Sequence, residues 1–287
     1  MTIPSGYRSH ADVVARLRAI GARALGTTIE TEPVLACELG PADARRATIV
    51  IAGIHAMEWI GVETALALLE RLAVRPPTDR RIIVVPVANP DGYLAVERDL
   101  RDGRRYFRRG NARNVDLNRN WPTGFRRSAR RLPPMWTWHG GGPCSEPEVA
   151  AIVGALDAEV AAGRTVDVAL SLHSFGRKLL VPWGSRWKKP TRDRELRTLA
   201  AVMQARLAER YTIDQVSRWL PGAFVRGMEL DHLHAQYGAR AILVECSGGG
   251  LSLDPRSWIE PFRWYNPSGP AAIAADLARA VEPFVRG

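Results

Sequence analysis

His55 and Glu58 stand three residues apart where an apolar, β-branched run, Thr48–Ile54, gives way to helical spacing from Gly61 to Leu72. An imidazole and a carboxylate are donors that zinc accepts together, one borderline-soft and one hard. The C-terminal edge of an open α/β sheet is where such groups meet ligands. Alone, a His-x-x-Glu pair is more often an ion pair at a helix start than a metal site. Two further apolar runs end the same way. Leu170-Ser171-Leu172 runs into His173, and Ala241-Ile242-Leu243-Val244 runs into Glu245. Strand exits of a parallel sheet gather at one edge, so all four side chains can converge there. Arg109 and Arg119 lie in the loops between them.

The elements that must position these residues follow from periodicity and punctuation. Apolar spacing predicts a helix over 9–25, opened by Ser9. Strands are expected over 32–39 and 47–54, joined by a Pro-Ala-Asp turn. A helix over 60–73 stops near Pro76-Pro77. The strand 82–87 ends in Ala-Asn-Pro-Asp-Gly, which reads as a turn. Residues 93–145 lack a regular pattern, and an irregular stretch that long inside a domain is usually functional. Helices are expected over 146–161 (Pro147 in its first turn), 191–210, 227–237 and 267–281, with strands over 166–172 and 240–245. Strands alternating with helices predict an α/β fold. One domain over residues 1–287 is expected, with a central mixed, largely parallel twisted sheet covered by helices on both faces.

Composition narrows the function classes. The chain has 287 residues, 46% hydrophobic and 24% charged, the profile of a globular protein rather than a disordered one. No apolar run approaches a membrane span, so no membrane partner is expected. The N-terminus shows no basic segment followed by an apolar one, which makes the cytoplasm the expected location. Cys37, Cys144 and Cys246 form no C-x-x-C pair, which disfavours a disulfide scaffold and a cysteine zinc site. The net charge of +10 could mean an anionic partner. Its basic residues concentrate in Arg98–Arg131 without the interleaved aromatics of a single-strand binder, and no helix-turn-helix or zinc finger is present. A solvated basic loop is the reading, and no nucleic acid is expected.

The ordered set of motifs resembles the zinc carboxypeptidases of the carboxypeptidase A (M14) type. Its pieces are His55-x-x-Glu58-Trp59, Asn89-Pro90-Asp91-Gly92-Tyr93, Arg109-x-Asn111, Val115-Asp116-Leu117-Asn118-Arg119-Asn120, Pro143-Cys144-Ser145-Glu146, Ser171-x-His173-Ser174, Leu180-x-Pro182-x-Gly184 and Glu245. They span roughly residues 48–250. The resemblance implies one zinc per chain on His55, Glu58 and His173, the three-ligand pattern of a catalytic site. It implies that Glu245 is the general base, taking a proton from the attacking water and passing it to the leaving amine. Arg109 would stabilise the oxyanion, with Arg108 as its rival. Asn118 and Arg119 would grip the free C-terminal carboxylate of a peptide substrate, which a planar guanidinium suits. Leu230 is expected at the base of the specificity pocket, favouring apolar C-terminal side chains, although Asp231, His232 and His234 nearby could make it polar. A second metal on His232 and His234 is disfavoured, because i and i+2 do not face one another on a helix. His139 lies in a loop that could reach a substrate.

Three departures from the family stand out. Ala223 takes the place of a lid tyrosine, with Phe224 and Trp219 the nearest aromatics, unless an insertion brings in Tyr211 or Tyr237. Met57 replaces an arginine found between the first two ligands of digestive members. No pro-segment or secretory signal is visible. These leave an alternative open: a same-fold zinc amidase acting on a peptidoglycan-derived peptide or an N-acyl amino acid.

Overall fold

The computed structural model describes residues 3–128, 138–219, 224–250 and 255–287. Its strands are β1 (Arg23–Thr27), β2 (Pro33–Leu39), β3 (Arg46–Ala52), β4 (Arg81–Val85), β5 (Thr165–His173), β6 (Lys178–Val181), β7 (Thr212–Gln215) and β8 (Arg240–Glu245). Its helices are α1 (His10–Ala19), α2 (Trp59–Val74), α3 (Pro90–Arg101), α4 (Pro147–Ala161), α5 (Asp193–Gln204), α6 (Val216–Trp219), α7 (Glu229–Tyr237), α8 (Pro261–Tyr265) and α9 (Pro270–Arg286). Among the described residues the strands form one eight-stranded sheet in the order β1-β2-β4-β3-β5-β8-β6-β7. The centre, β4-β3-β5-β8, is parallel. β2 against β4 and β6 against β8 are antiparallel, so the sheet is mixed.

Both faces are covered, which is why the central strands read as continuous apolar runs. Along β3, Val50 and Ala52 pack with residues of α1, α2, α5 and α9. Ile49 and Ile51 point the other way, into a second core with α4 and α7. The period-2 alternation of strand side chains produces this division. No described helix is long and apolar enough to cross a membrane.

α2 sits closest to the sheet edge that matters. A Cβ on Gly61 would meet the carbonyl oxygen of Leu172 at 2.7 Å, so a bare backbone is needed for this approach. Trp59, the first residue of α2, stacks on Tyr93 with ring centroids 3.9 Å apart. The buried Asn266 amide accepts from Ile60 N and donates to Met57 O, tying the start of α2 to the loop before α9.

Several expectations are corrected. The helix expected over 9–25 ends at Ala19, and Leu25 belongs to β1. Asn89-Pro90-Asp91-Gly92 starts helix α3 rather than a turn. Asn89 Oδ1 accepts from Gly92 N at 2.9 Å and Pro90 takes the first helical position, both helix-start devices. The helix expected over 191–210 ends at Gln204, and β7 follows it. The closing helix starts at Pro270 and runs to Arg286. β6, at four residues, carried no periodic signal.

Candidate metal centre

Three strand exits deliver the four side chains. β3 leaves the sheet through Gly53 (φ +61°), where a Cβ would meet Pro86 O at 3.1 Å, and the chain then presents His55. Glu58 is the residue immediately before α2. His173 and Glu245 end the neighbouring parallel strands β5 and β8 and are register partners. The structure thus brings His55, Glu58, His173 and Glu245 together, all of them buried.

The ligand atoms face one another. Nδ1 of His55 lies 2.8 Å from Glu58 Oε1, and Nδ1 of His173 lies 2.9 Å from Glu58 Oε2. The two Nδ1 atoms are 3.1 Å apart. A tetrahedral ion with bonds of about 2.0–2.2 Å separates adjacent ligands by roughly 3.3–3.5 Å. A small expansion of the cluster therefore accommodates zinc. Among the described residues it is the one group of three or more such side chains close enough to hold a metal ion. Glu245 adds a buried carboxylate oxygen, Oε2, with no hydrogen-bond partner among the described residues. An orphaned acceptor of this kind costs free energy unless a ligand or water satisfies it. The residues present fit a zinc ion.

Each histidine is oriented from behind. His55 Nε2 lies 3.2 Å from Asp116 Oδ1, and His173 Nε2 lies 2.6 Å from Glu229 Oε1. A carboxylate behind a ligating imidazole fixes the tautomer that frees the other nitrogen. Burial opposes the Glu58 charge, but His55 and His173 outweigh it and hold this carboxyl well below the usual range. Burial, and then repulsion from Glu58, pushes Glu245 upward.

Arg109 and Arg119 share a cavity of about 300 Å³ with these groups. Arg109 Nε donates to Asp116 Oδ2 at 2.8 Å, and its Nη1 lies 3.6 Å from Glu58 Oε1. Arg108 turns away to pair with Asp99, which separates the two rivals. Arg119 follows Asn118 in a short 3₁₀ segment, Leu117–Arg119. Its Nη1 donates to Asn118 O at 2.7 Å, and this guanidinium makes no other hydrogen bond to the described residues. Burial, only partly offset by Asp116, lowers the Arg119 pKa, so this charge is under-compensated. Asn118 lines the cavity, and its Oδ1 accepts from Glu229 N at 3.1 Å.

The apolar wall differs from expectation. Leu230 is buried in the core shared with α4 and does not line the cavity. α7 turns it inward toward the sheet, and Leu180, Val216, Trp219, Val225, Met228 and Leu243 form the wall instead. Asp231 accepts from Gly184 N and Ser185 N, His232 pairs with Thr123, and His234 meets Ala239 O, so none of them makes this wall polar. His139 pairs with Arg126 O away from the cavity. Ala223 lies outside the described residues. Tyr211 donates to Cys246 O and Tyr237 to Asp157, so neither phenol enters the site. Tyr265, which carried no motif signal, does line it, with its ring edge-on to Phe175. Met57 is buried, and its sulfur accepts from Arg108 N. Glu229 belongs to no motif of the sequence. Asp116 was visible only as part of the Asn118-Arg119 block.

Comparison with known proteins agrees with this geometry. The sequence model of the zinc carboxypeptidases, peptidase M14, matches residues 19–250. Human carboxypeptidase A5 is 30% identical over 205 residues, 67% of this chain and 45% of its own length. Rat carboxypeptidase A2 is 33% identical over 189 residues, 61% of this chain and 44% of its own. The chain thus spans about half the length of these relatives. Among solved structures, carboxypeptidase A from Helicoverpa armigera superposes with a TM-score of 0.76 at 20% identity, covering 96% of this chain and 74% of that one. Murein-tripeptide amidase from Escherichia coli O157 superposes with a TM-score of 0.55 at 21% identity, covering 90% and 92%. With most of its length matched by the family's sequence model, the chain belongs to the zinc carboxypeptidase family, peptidase M14.

Proposed function

We propose that the protein is a zinc-dependent metallocarboxypeptidase that removes a C-terminal residue with an apolar side chain from a peptide ending in a free carboxylate. The observation that carries this reading is the sharing of one cavity by the His55-Glu58-His173 cluster, Glu245, and Arg119 with N–H groups to spare. Zinc, when bound, supplies a Lewis acid and makes water a better nucleophile at neutral pH. His55, Glu58 and His173 would hold it. Glu245 takes the proton of the attacking water and returns it to the leaving amine. Arg109, braced by Asp116, donates to the oxygen that gains negative charge in the transition state. Arg119 and Asn118 bind the terminal carboxylate, which places the last peptide bond beside Glu245.

The side chain of the terminal residue then faces the wall of Leu180, Val216, Trp219, Val225, Met228 and Leu243, which carries no charge. Burying a charged group there without a partner is costly. Carboxypeptidase action on apolar ends is therefore favoured over the amidase reading, in which a diaminopimelate end would bring an extra charged group to this wall. The zinc-loaded protein should be assayed against peptides varied at the last residue, with a tripeptide ending in diaminopimelate included. Preference for Phe, Leu or Met ends is expected. Turnover of the diaminopimelate tripeptide alone would transfer the reading to the amidase.

A further inference from the structure

We propose that Glu229 is a positioning residue of the metal centre: its carboxylate, behind His173, presents Nδ1 of that histidine to zinc and strengthens the site's hold on the cation. The proposal rests on the zinc carboxypeptidase reading above. Glu229 belongs to none of the motifs that identify the family. It is the first residue of α7, fully buried, with Oε1 2.6 Å from His173 Nε2. Ser171 Oγ donates to the same oxygen at 2.7 Å from two residues earlier on β5. Its own N–H donates to Asn118 Oδ1. One residue is thereby bonded to the strand, to a zinc ligand and to the loop that carries Arg119.

The charges explain why a carboxylate sits there. Around the centre the buried acids are Glu58, Asp116, Glu229 and Glu245, and the guanidiniums are Arg109 and Arg119. Four carboxyl groups gathered against two guanidiniums make a setting that favours a cation. The second oxygen of Glu229 is buried with no hydrogen-bond partner among the described residues, so the acid is held through its other oxygen by His173 and Ser171. A buried anion without a counter-charge is expensive. Through the His173 ring, Glu229 is instead coupled to whatever positive charge Nδ1 meets. Outer-shell partners of this kind typically contribute about 10–100-fold to metal affinity.

The test compares wild type, Glu229→Gln and Glu229→Ala by chelator competition for zinc, with thermal melts of each metal-free protein to confirm folding. Glu229→Gln keeps the shape and an acceptor but loses the charge, and should bind zinc about tenfold more weakly. Glu229→Ala should fall toward 100-fold. A second measurement needs no variant. Nitrogen-15 shifts of His173 in the zinc-loaded wild type should show a protonated Nε2 and a metallated Nδ1. Wild-type zinc affinity in both folded variants, or metal on Nε2 of His173, would overturn the proposal. Wild-type protein that takes up no zinc would overturn the metal reading itself and this proposal with it.

Discussion

Glu245 ends β8 beside the His55-Glu58-His173 cluster, across the β5–β8 register, with one buried oxygen that has no partner among the described residues. Glu245→Gln preserves its volume but cannot take a proton. Zinc content and melting temperature should stay near wild type while turnover falls by about 10²–10⁴-fold. Near-normal turnover in the metal-loaded variant would place the base elsewhere. Arg119 has a different role, because what it binds belongs to the substrate. Arg119→Ala should lose roughly 2–5 kcal/mol of transition-state binding on free-acid peptides, the scale of truncating one partner of a buried charge pair. On C-terminally amidated peptides the same change should cost far less, so the two alterations should be non-additive in a double-mutant cycle. Additive losses would mean that Arg119 and the terminal carboxylate do not meet.

At the scale of elements, α2 and α4 carry the constraints. Gly61→Ala sets a methyl against Leu172 O, one residue before His173. It should destabilise the fold by about 1–3 kcal/mol, the usual cost of overpacking, and weaken zinc binding by shifting Glu58 away from His173. Unchanged zinc affinity would show that the start of α2 moves independently of the centre. Near the start of α4, Glu148 is buried against Asn111. Burial, with Asp91 and Glu146 nearby, pushes it from 4.5 up to about 7. A raised carboxyl pKa means the fold binds this proton more tightly than the unfolded chain does. Its penalty is absent below pH 4.5 and complete above about 7, on the order of 3 kcal/mol. Glu148→Gln should therefore raise the melting temperature at pH 8 and leave it nearly unchanged at pH 4.5. An equal shift at both values would contradict this. The central strands and the residues at their exits were legible in the sequence because β-branched runs ending at His, Glu or Gly carry their own signal. α3 was hidden because Asn-Pro-Asp-Gly serves a turn and a helix start equally well, and only the tertiary setting selects between them. β6 and β7, at four residues each, are too short for periodicity to register. Glu229 and Tyr265 reach the site through the packing of α7 and α8, which no spacing along the chain encodes. For the same reason Leu230 faces the core and not the cavity.

For the whole molecule, the sheet edge and the zinc that the proposed function places there should act as one thermodynamic unit. Four buried acids face two guanidiniums, so removing the cation should loosen the fold as well as silence it. Zinc held at about 100 times its dissociation constant adds roughly 2.7 kcal/mol to stability by mass action. Chelation should accordingly lower the melting temperature, and added zinc should restore it in wild type but not in His173→Ala. The same edge gathers Glu245, Arg109 and Arg119 around one cavity, and the account stands on what enters that cavity. The most direct measurement is hydrolysis by zinc-loaded wild type of one peptide ending in Phe, offered as the free acid and as the C-terminal amide. Release of the last residue from the free acid, with little or none from the amide, is the predicted result. Equal cleavage of both would contradict the account, because the terminal carboxylate would then play no part in binding.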